Sequence, residues 1–232
     1  MSLNNLGTHL FNLGRREAAL AAMQEAGDIF GRLAQSRPED ALIPYARSLS
    51  SIGVIFSALG RREEALAASQ EAVDICRRLA QSRPEDDFLS GLAWSLSNLG
   101  RRLSDLGRRE EALAASQEAV DICRRLAQSR PDALLSDLAW RLRGLGLALA
   151  AAERHADAAA AAREGLMTIA PFVERYPQVF RELTRELTHD YLSACKKSGT
   201  EPDQALLARV SSAPPRARLS HEEPEAGSGS GP

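Results

Sequence analysis

The chain has 232 residues, 44% hydrophobic and only 5% aromatic, with a formal net charge of −2. That charge gives no electrostatic basis for binding nucleic acid or an anionic membrane, and no apolar run approaches the roughly 20 residues of a membrane span. The three cysteines, Cys76, Cys123 and Cys195, form no CxxC pair, which fits a reduced, cytoplasmic chain.

Ala and Leu supply most of the apolar content, and both favour helix over strand. The opening "MSLNNLGTHLFNLG" lacks the basic and apolar regions of a secretory signal. Residues 1–38 read as a helix pair around the turn "LGRREAAL" from Leu13. Aligned with later copies, Met1 corresponds to Arg47 and Trp94, so the first helix is expected to be truncated, as in a fragment of a longer protein, a chain with a misassigned start, or an array that tolerates a short first helix. Residues 39–84 form a second pair around "LGRREEAL" from Leu59, and residues 85–131 a third around the same string from Leu106. The 26 residues from Leu59 to Pro84 recur letter for letter from Leu106 to Pro131. Residues 132–177 are a degenerate fourth pair, with "ERHADAAA" from Glu153 at the turn and Pro171 expected to kink or end its second helix. Residues 178–210 read as a fifth first helix, about Val179 to Lys197, and a short cap, about Pro202 to Val210. Residues 211–232, rich in Pro, Gly and Ser, read as a disordered tail.

Two further markers move with the turn. Gly7, Gly53, Gly100 and Gly146, and the closing prolines Pro38, Pro84, Pro131 and Pro177, are each spaced by 46, 47 and 46 residues. The extra residue falls near "PEDD" after Pro84, at an interhelical loop. Within units the period is helical: Leu89, Leu92, Leu96, Leu99 and Leu103 share one face, as do Ala65, Leu66, Ser69, Ala72, Val73, Cys76 and Leu79. Glycine lets the chain leave the first helix, acidic residues then sit at the positive end of the second, and "PED" or "PD" is expected to cap the next helix. One helix pair cannot bury both its apolar faces, so repetition supplies the missing cover. Small residues at Gly53, Ala65, Ala72, Gly100, Ala112 and Ala119 permit close approach.

Leu49, Ile52, Gly53, Phe56, Gly60, Ala65 and Ala72, and again Leu96, Leu99, Gly100, Leu103, Gly107, Ala112 and Ala119, resemble the signature of the tetratricopeptide repeat (TPR). The period is longer than the family's usual ~34 residues, as in the kinesin-light-chain and bacterial types, and Leu mostly replaces the family's large aromatics. The resemblance implies an all-α fold, an α-solenoid of stacked antiparallel helix pairs in a right-handed superhelix, with about four repeats and a C-terminal cap. It also implies a non-catalytic protein-interaction scaffold, often a sensor or scaffold part of a larger bacterial signalling protein.

No nucleotide, hydrolase or metalloprotease motif occurs, and no cofactor or metal is expected. Cys76 and Cys123 lie one repeat apart on a core stripe, where repetition alone explains them. His189 and Cys195 are six residues apart, not a same-face spacing, which argues against a thiol enzyme. His155 replaces Arg62 and Arg109 of the other turns and reads as a solvated surface residue.

In the family the first helices line a concave groove. Carried over by position, that surface would hold Arg47, Ser50, Val54, Trp94, Ser97, Asn98, Arg101, Trp140, Arg143 and Leu147. Two Trp one repeat apart near Arg47, Arg101 and Arg143 would suit an acidic peptide or partner helix with apolar anchors. The competing expectation packs both Trp between helices. The Lys/Asn clamp used by some members for a terminal carboxylate is not reproduced. A second functional reading is a self-assembling structural protein, associating through the uncapped first repeat.

Overall fold

The computed structural model describes residues 3–82, 85–129 and 131–211. Among them, regular structure is entirely helical: α1 (Leu3–Asn12), α2 (Arg16–Ser36), α3 (Pro38–Ala58), α4 (Arg62–Ser82), α5 (Asp86–Asp105), α6 (Arg109–Ser129), α7 (Pro131–Ala151), α8 (His155–Arg175), α9 (Pro177–Ser198) and α10 (Gln204–Ser211). From α1 to α9 each helix packs on the next, and α10 returns onto α8. The backbones of alternate helices α3, α5, α7 and α9 also approach one another. The corresponding second helices α4, α6 and α8 are instead bridged by long side chains: Arg77 to Glu118 at 2.8 Å and Arg124 to Glu164 at 2.7 Å. The stack therefore curves with the first helices on its inner surface, an α-solenoid whose apolar core runs continuously from α3 to α10. A smaller cluster, including Met23, Ile55 and Phe56, joins α1 and α2 to α3 and α4.

The turns repeat one hydrogen-bond pattern. Gly60 N–H donates to Ser57 O and Arg61 N–H to Phe56 O, and the same pair recurs at Gly14, Gly107 and Glu153. This is the Schellman arrangement, which requires a left-handed residue. The three glycines supply it at φ 76°, 77° and 73°, and Glu153 adopts φ 62° without the glycine's freedom. Ion pairs Arg61–Glu64, Arg108–Glu111 and Arg154–Asp157 span the start of the following helix. The arginine hydrogen bonds hold the Glu64 and Glu111 carboxyls below their ordinary range.

Several expectations need correction. Pro38 and Pro177 open the following helix at its first turn rather than closing the unit before, because that position needs no N–H. Single residues, Arg37 at φ −138° and ψ 71° and Tyr176 at φ −134° and ψ 59°, make those joints, outside the α region that a following proline disfavours. Pro84 and the tail residues 212–232 lie outside the described residues. Neither Arg37 nor Glu85 makes a side-chain cap, so the expected acidic capping hydrogen bond is not formed there. Pro171 does not end α8: the helix continues to Arg175, held by Ala170 and Val173 in the core. α3 likewise runs through Pro44, and its segment Asp40–Ala58, mean hydropathy 1.2, is long and apolar enough to cross a membrane. Half of that segment is buried here between neighbouring helices, which accounts for its apolar character. The expected cap begins later, at Gln204, because the Asp203 carboxylate accepts the Leu206 N–H at 3.0 Å.

Candidate partner-binding surface

Two adjoining clefts cross the inner surface. The first, about 580 Å³, is walled by Arg47 of α3, Gly91 and Trp94 of α5, and Asp137 and Arg141 of α7, with Cys76 at its floor. The second, about 320 Å³, lies between Ser97, Asn98, Arg101 and Asp105 of α5 and Trp140, Arg141, Arg143, Gly144 and Leu147 of α7. Arg141 lines both.

Arg47 and Arg101 are exposed and without an ionic partner among the described residues. Trp140 and Leu147 keep 42% and 44% of their surface exposed. That is a large apolar area to leave in water, at roughly 25 cal/mol per Å². Trp94 is half-buried. Asn98 Nδ2 and Arg141 Nε are buried and meet no acceptor among the described residues. Asp105, the acidic group of the second cleft, is already engaged: Ser57 donates to it at 3.1 Å and Arg102 lies 3.7 Å away.

The tetratricopeptide repeat family model matches residues 1–32, 46–86 and 92–131. The chain is thus a tetratricopeptide repeat protein across its first three units. No curated protein matches it. Among solved structures, it is similar to a putative kinesin light chain from Podosopora anserina with nearly identical TPR-like repeats: TM-score 0.63, 17% identity, covering 91% of this chain and 93% of that one. BtubC (BKLC) from P. vanneervenii follows at TM-score 0.52 and 15% identity, covering 84% and 80%. The apo form of RapI gives 0.51 and 12%, covering 90% of this chain but 56% of that one. At these identities the likeness concerns the fold.

As a TPR surface, the inner face holds most of the expected positions but changes their roles. Arg47 and Trp94 fall in the first cleft; Ser97, Asn98, Arg101, Trp140, Arg143 and Leu147 fall in the second. Val54 is half-buried and lines neither cleft. Ser50 must be removed from the set, because it is fully buried. Arg143 is not a free cation: it pairs with Asp190 at 2.9 Å and Glu186 at 3.3 Å, both on α9. Trp140 is not packed between helices as the competing expectation held. His155 is half-buried rather than solvated, with Nδ1 meeting no partner among the described residues, in a small cleft with Arg143, Asp190 and Lys197.

Two arginines were not singled out from sequence. Arg141 stands where the equivalent residues are the buried Ser48 and Ser95. Arg102 stands where they are Ile55 and Ala148; it is 4% exposed and donates to Gly53 O at 3.3 Å, and burial pulls its pKa down. Both are breaks in otherwise regular columns, and that was the signal available.

The thiols are structural. Burial pushes up the Cys76 thiol, against the opposing contact with Ser95. It does the same at Cys123, where Arg141 opposes it. Cys195 is 1% exposed on the stripe with Leu187 and Tyr191, whereas His189 is exposed. The two are thus held apart on one helix, and a thiolate–imidazole pair is not assembled.

Proposed function

We propose that this chain binds an extended, acidic segment of another protein on its inner surface and performs no chemistry on it. The observation that carries the reading is the pair of guanidiniums without an ionic partner among the described residues, Arg47 and Arg101, beside Trp94, Trp140 and Leu147 along two adjoining clefts. A partner carboxylate would form charge-assisted hydrogen bonds there, each contributing about 1.5–3 kcal/mol. An apolar side chain would cover Trp140, and Trp and Arg dominate binding hot spots.

The test is affinity capture from the host lysate with wild type and a Trp94→Ala, Arg101→Ala double variant, both checked as folded by circular dichroism. A partner held by wild type and lost by the variant supports the reading. A partner held equally by both moves the interaction off this surface and overturns it.

A second reading rests on Leu6, Leu13, Ile29 and Leu33 of the first helix pair, which are 36%, 74%, 41% and 37% exposed. Exposed apolar side chains at the first-repeat end of the stack suit association with another copy. A sizing-column series over a hundredfold range of concentration would detect it; a constant monomer would dismiss it.

A further inference from the structure

Most glycines inside the helices of this chain have a packing reason. A Cβ at Gly53 would lie 2.7 Å from Ser69 Oγ, at Gly100 2.7 Å from Ser116 Oγ, at Gly7 2.7 Å from Met23 and at Gly165 2.9 Å from Leu187. Gly27 and Gly31 meet Ile52 and Tyr45 at 3.4 Å. Gly91 and Gly144 are different: a Cβ added at either would meet nothing within 4 Å. Both lie inside helices, α5 and α7, where glycine is less favourable than alanine. The repeat does not demand them either. Pro44 and Asp137 occupy the positions equivalent to Gly91, and Ser51 and Asn98 those equivalent to Gly144. Yet each lines one of the two inner clefts.

We infer that Gly91 and Gly144 are bare patches of helix backbone against which a bound peptide lies, so that the two clefts are successive subsites for side chains of one extended acidic segment. This rests on the inner-surface reading above and specifies it. The second subsite defines the class of occupant. Among the described residues Arg101 has no ionic partner and Asn98 Nδ2 and Arg141 Nε meet no acceptor, while Asp105 is taken by Ser57 and Arg102. The wall therefore offers donors, and the shelf of Trp140 and Leu147 offers apolar surface. A bulky apolar side chain sits over Gly144 against that shelf, and a neighbouring carboxylate reaches Arg101. Arg141, common to both clefts, makes the subsites continuous. Glycine there clears the path for the peptide, as where any backbone approaches a ligand closely.

The probe is a fluorescein-labelled octapeptide of two Leu-Leu-Glu-Glu units. In an extended chain alternate residues share a face, so each face of this peptide carries both leucine and glutamate. Controls replace glutamate with glutamine or lysine. Binding is read by fluorescence anisotropy with wild type, Gly144→Leu, Gly144→Ala and the Trp94→Ala, Arg101→Ala variant. Wild type is expected to prefer the glutamate peptide over either control by about tenfold or more, with Gly144→Leu losing that binding by about tenfold or more. Its melting temperature should equal or exceed that of wild type, since the new side chain meets open space. If the leucine variant melts early, Gly144→Ala decides, with weaker binding expected alongside a raised melting temperature. Wild-type affinity in a folded Gly144 variant, with loss in the Trp94 and Arg101 variant, overturns the glycine inference and leaves the inner-surface reading standing. Unchanged binding in every variant, or no binding of the glutamate peptide, overturns both.

Discussion

Helices α4 and α6 have the same 21-residue sequence, so any difference between them comes from their surroundings. Much is shared. Val73 and Val120 are both fully buried, and Arg77 and Arg124 each reach a glutamate on the next second helix. What differs is the first helix each one faces. Cys76 meets the Ser95 hydroxyl, whereas Cys123 meets the Arg141 guanidinium. Arg124 also pairs with Asp121 at 3.2 Å, an interaction not formed by its twin. The second helices are thus the repeated scaffold, and the first helices carry the individuality. That division suits a stack in which neighbour contacts set stability and the inner face is free to vary.

The regular and degenerate units make the same point at their glycines, and the largest expected effect tests it. Gly100→Ala would put a methyl 2.7 Å from Ser116 Oγ and 3.2 Å from the Ala112 carbonyl oxygen. The hydroxyl can turn away but the backbone cannot, so the variant should lose about 1–3 kcal/mol in urea unfolding. Gly146→Ala, with its nearest neighbour at 3.5 Å, should be neutral or stabilising. Equal losses would show that the fourth unit is packed as tightly as the third.

The turns come next in size. Glu153→Gly would match the degenerate turn to its sisters and should add about 0.5–1 kcal/mol, read as a raised melting temperature. The ion pair it removes, Arg109–Glu153 at 3.7 Å, is too exposed to offset that. Gly107→Ala, at φ 73°, should lose a similar amount or more.

Smaller still is the ladder on the outer face. Arg77→Ala and Arg124→Ala remove pairs whose partners are about two-fifths exposed. Each should cost less than about 1 kcal/mol, and the cost should shrink in 1 M salt. A larger loss for Arg124 would mark its second carboxylate as significant.

The smallest effect is confined to the C-terminal end. The Leu206 N–H, then Arg163, hold the Asp203 carboxyl below its ordinary value. Because its folded pKa is depressed, Asp203 stabilises this end above the unfolded pKa, near 3.9, and that stabilisation is lost as pH falls through the lower folded value. Amide protection in α10 should therefore fall below about pH 4 before that of α6. Simultaneous loss in both helices would contradict a local role for this cap. The Asp203 amide also donates to the Tyr191 hydroxyl at 2.9 Å, a contact independent of this titration.

The amino-acid sequence by itself determined the unit, the helical period, the glycine turns and the stacked all-α architecture. Each of these follows from local rules: a left-handed turn favours glycine, a helix face repeats every three to four residues, and a helix pair cannot bury itself. The resemblance carried by those residues suggested which columns face inward, because position within a repeat translates into position on a helix. Only the tertiary structure decided which members of those columns are available. Arg143 is neutralised by Glu186 and Asp190, more than 40 residues away, while Arg101, identical in type, has no ionic partner among the described residues. Ser50 turns into the core and Trp140 stays in water. Gly100 has a close neighbour to make room for and Gly144 has none. Pairing, burial and empty space depend on what the next helices bring up to a residue, and a repeat pattern describes a residue's own helix.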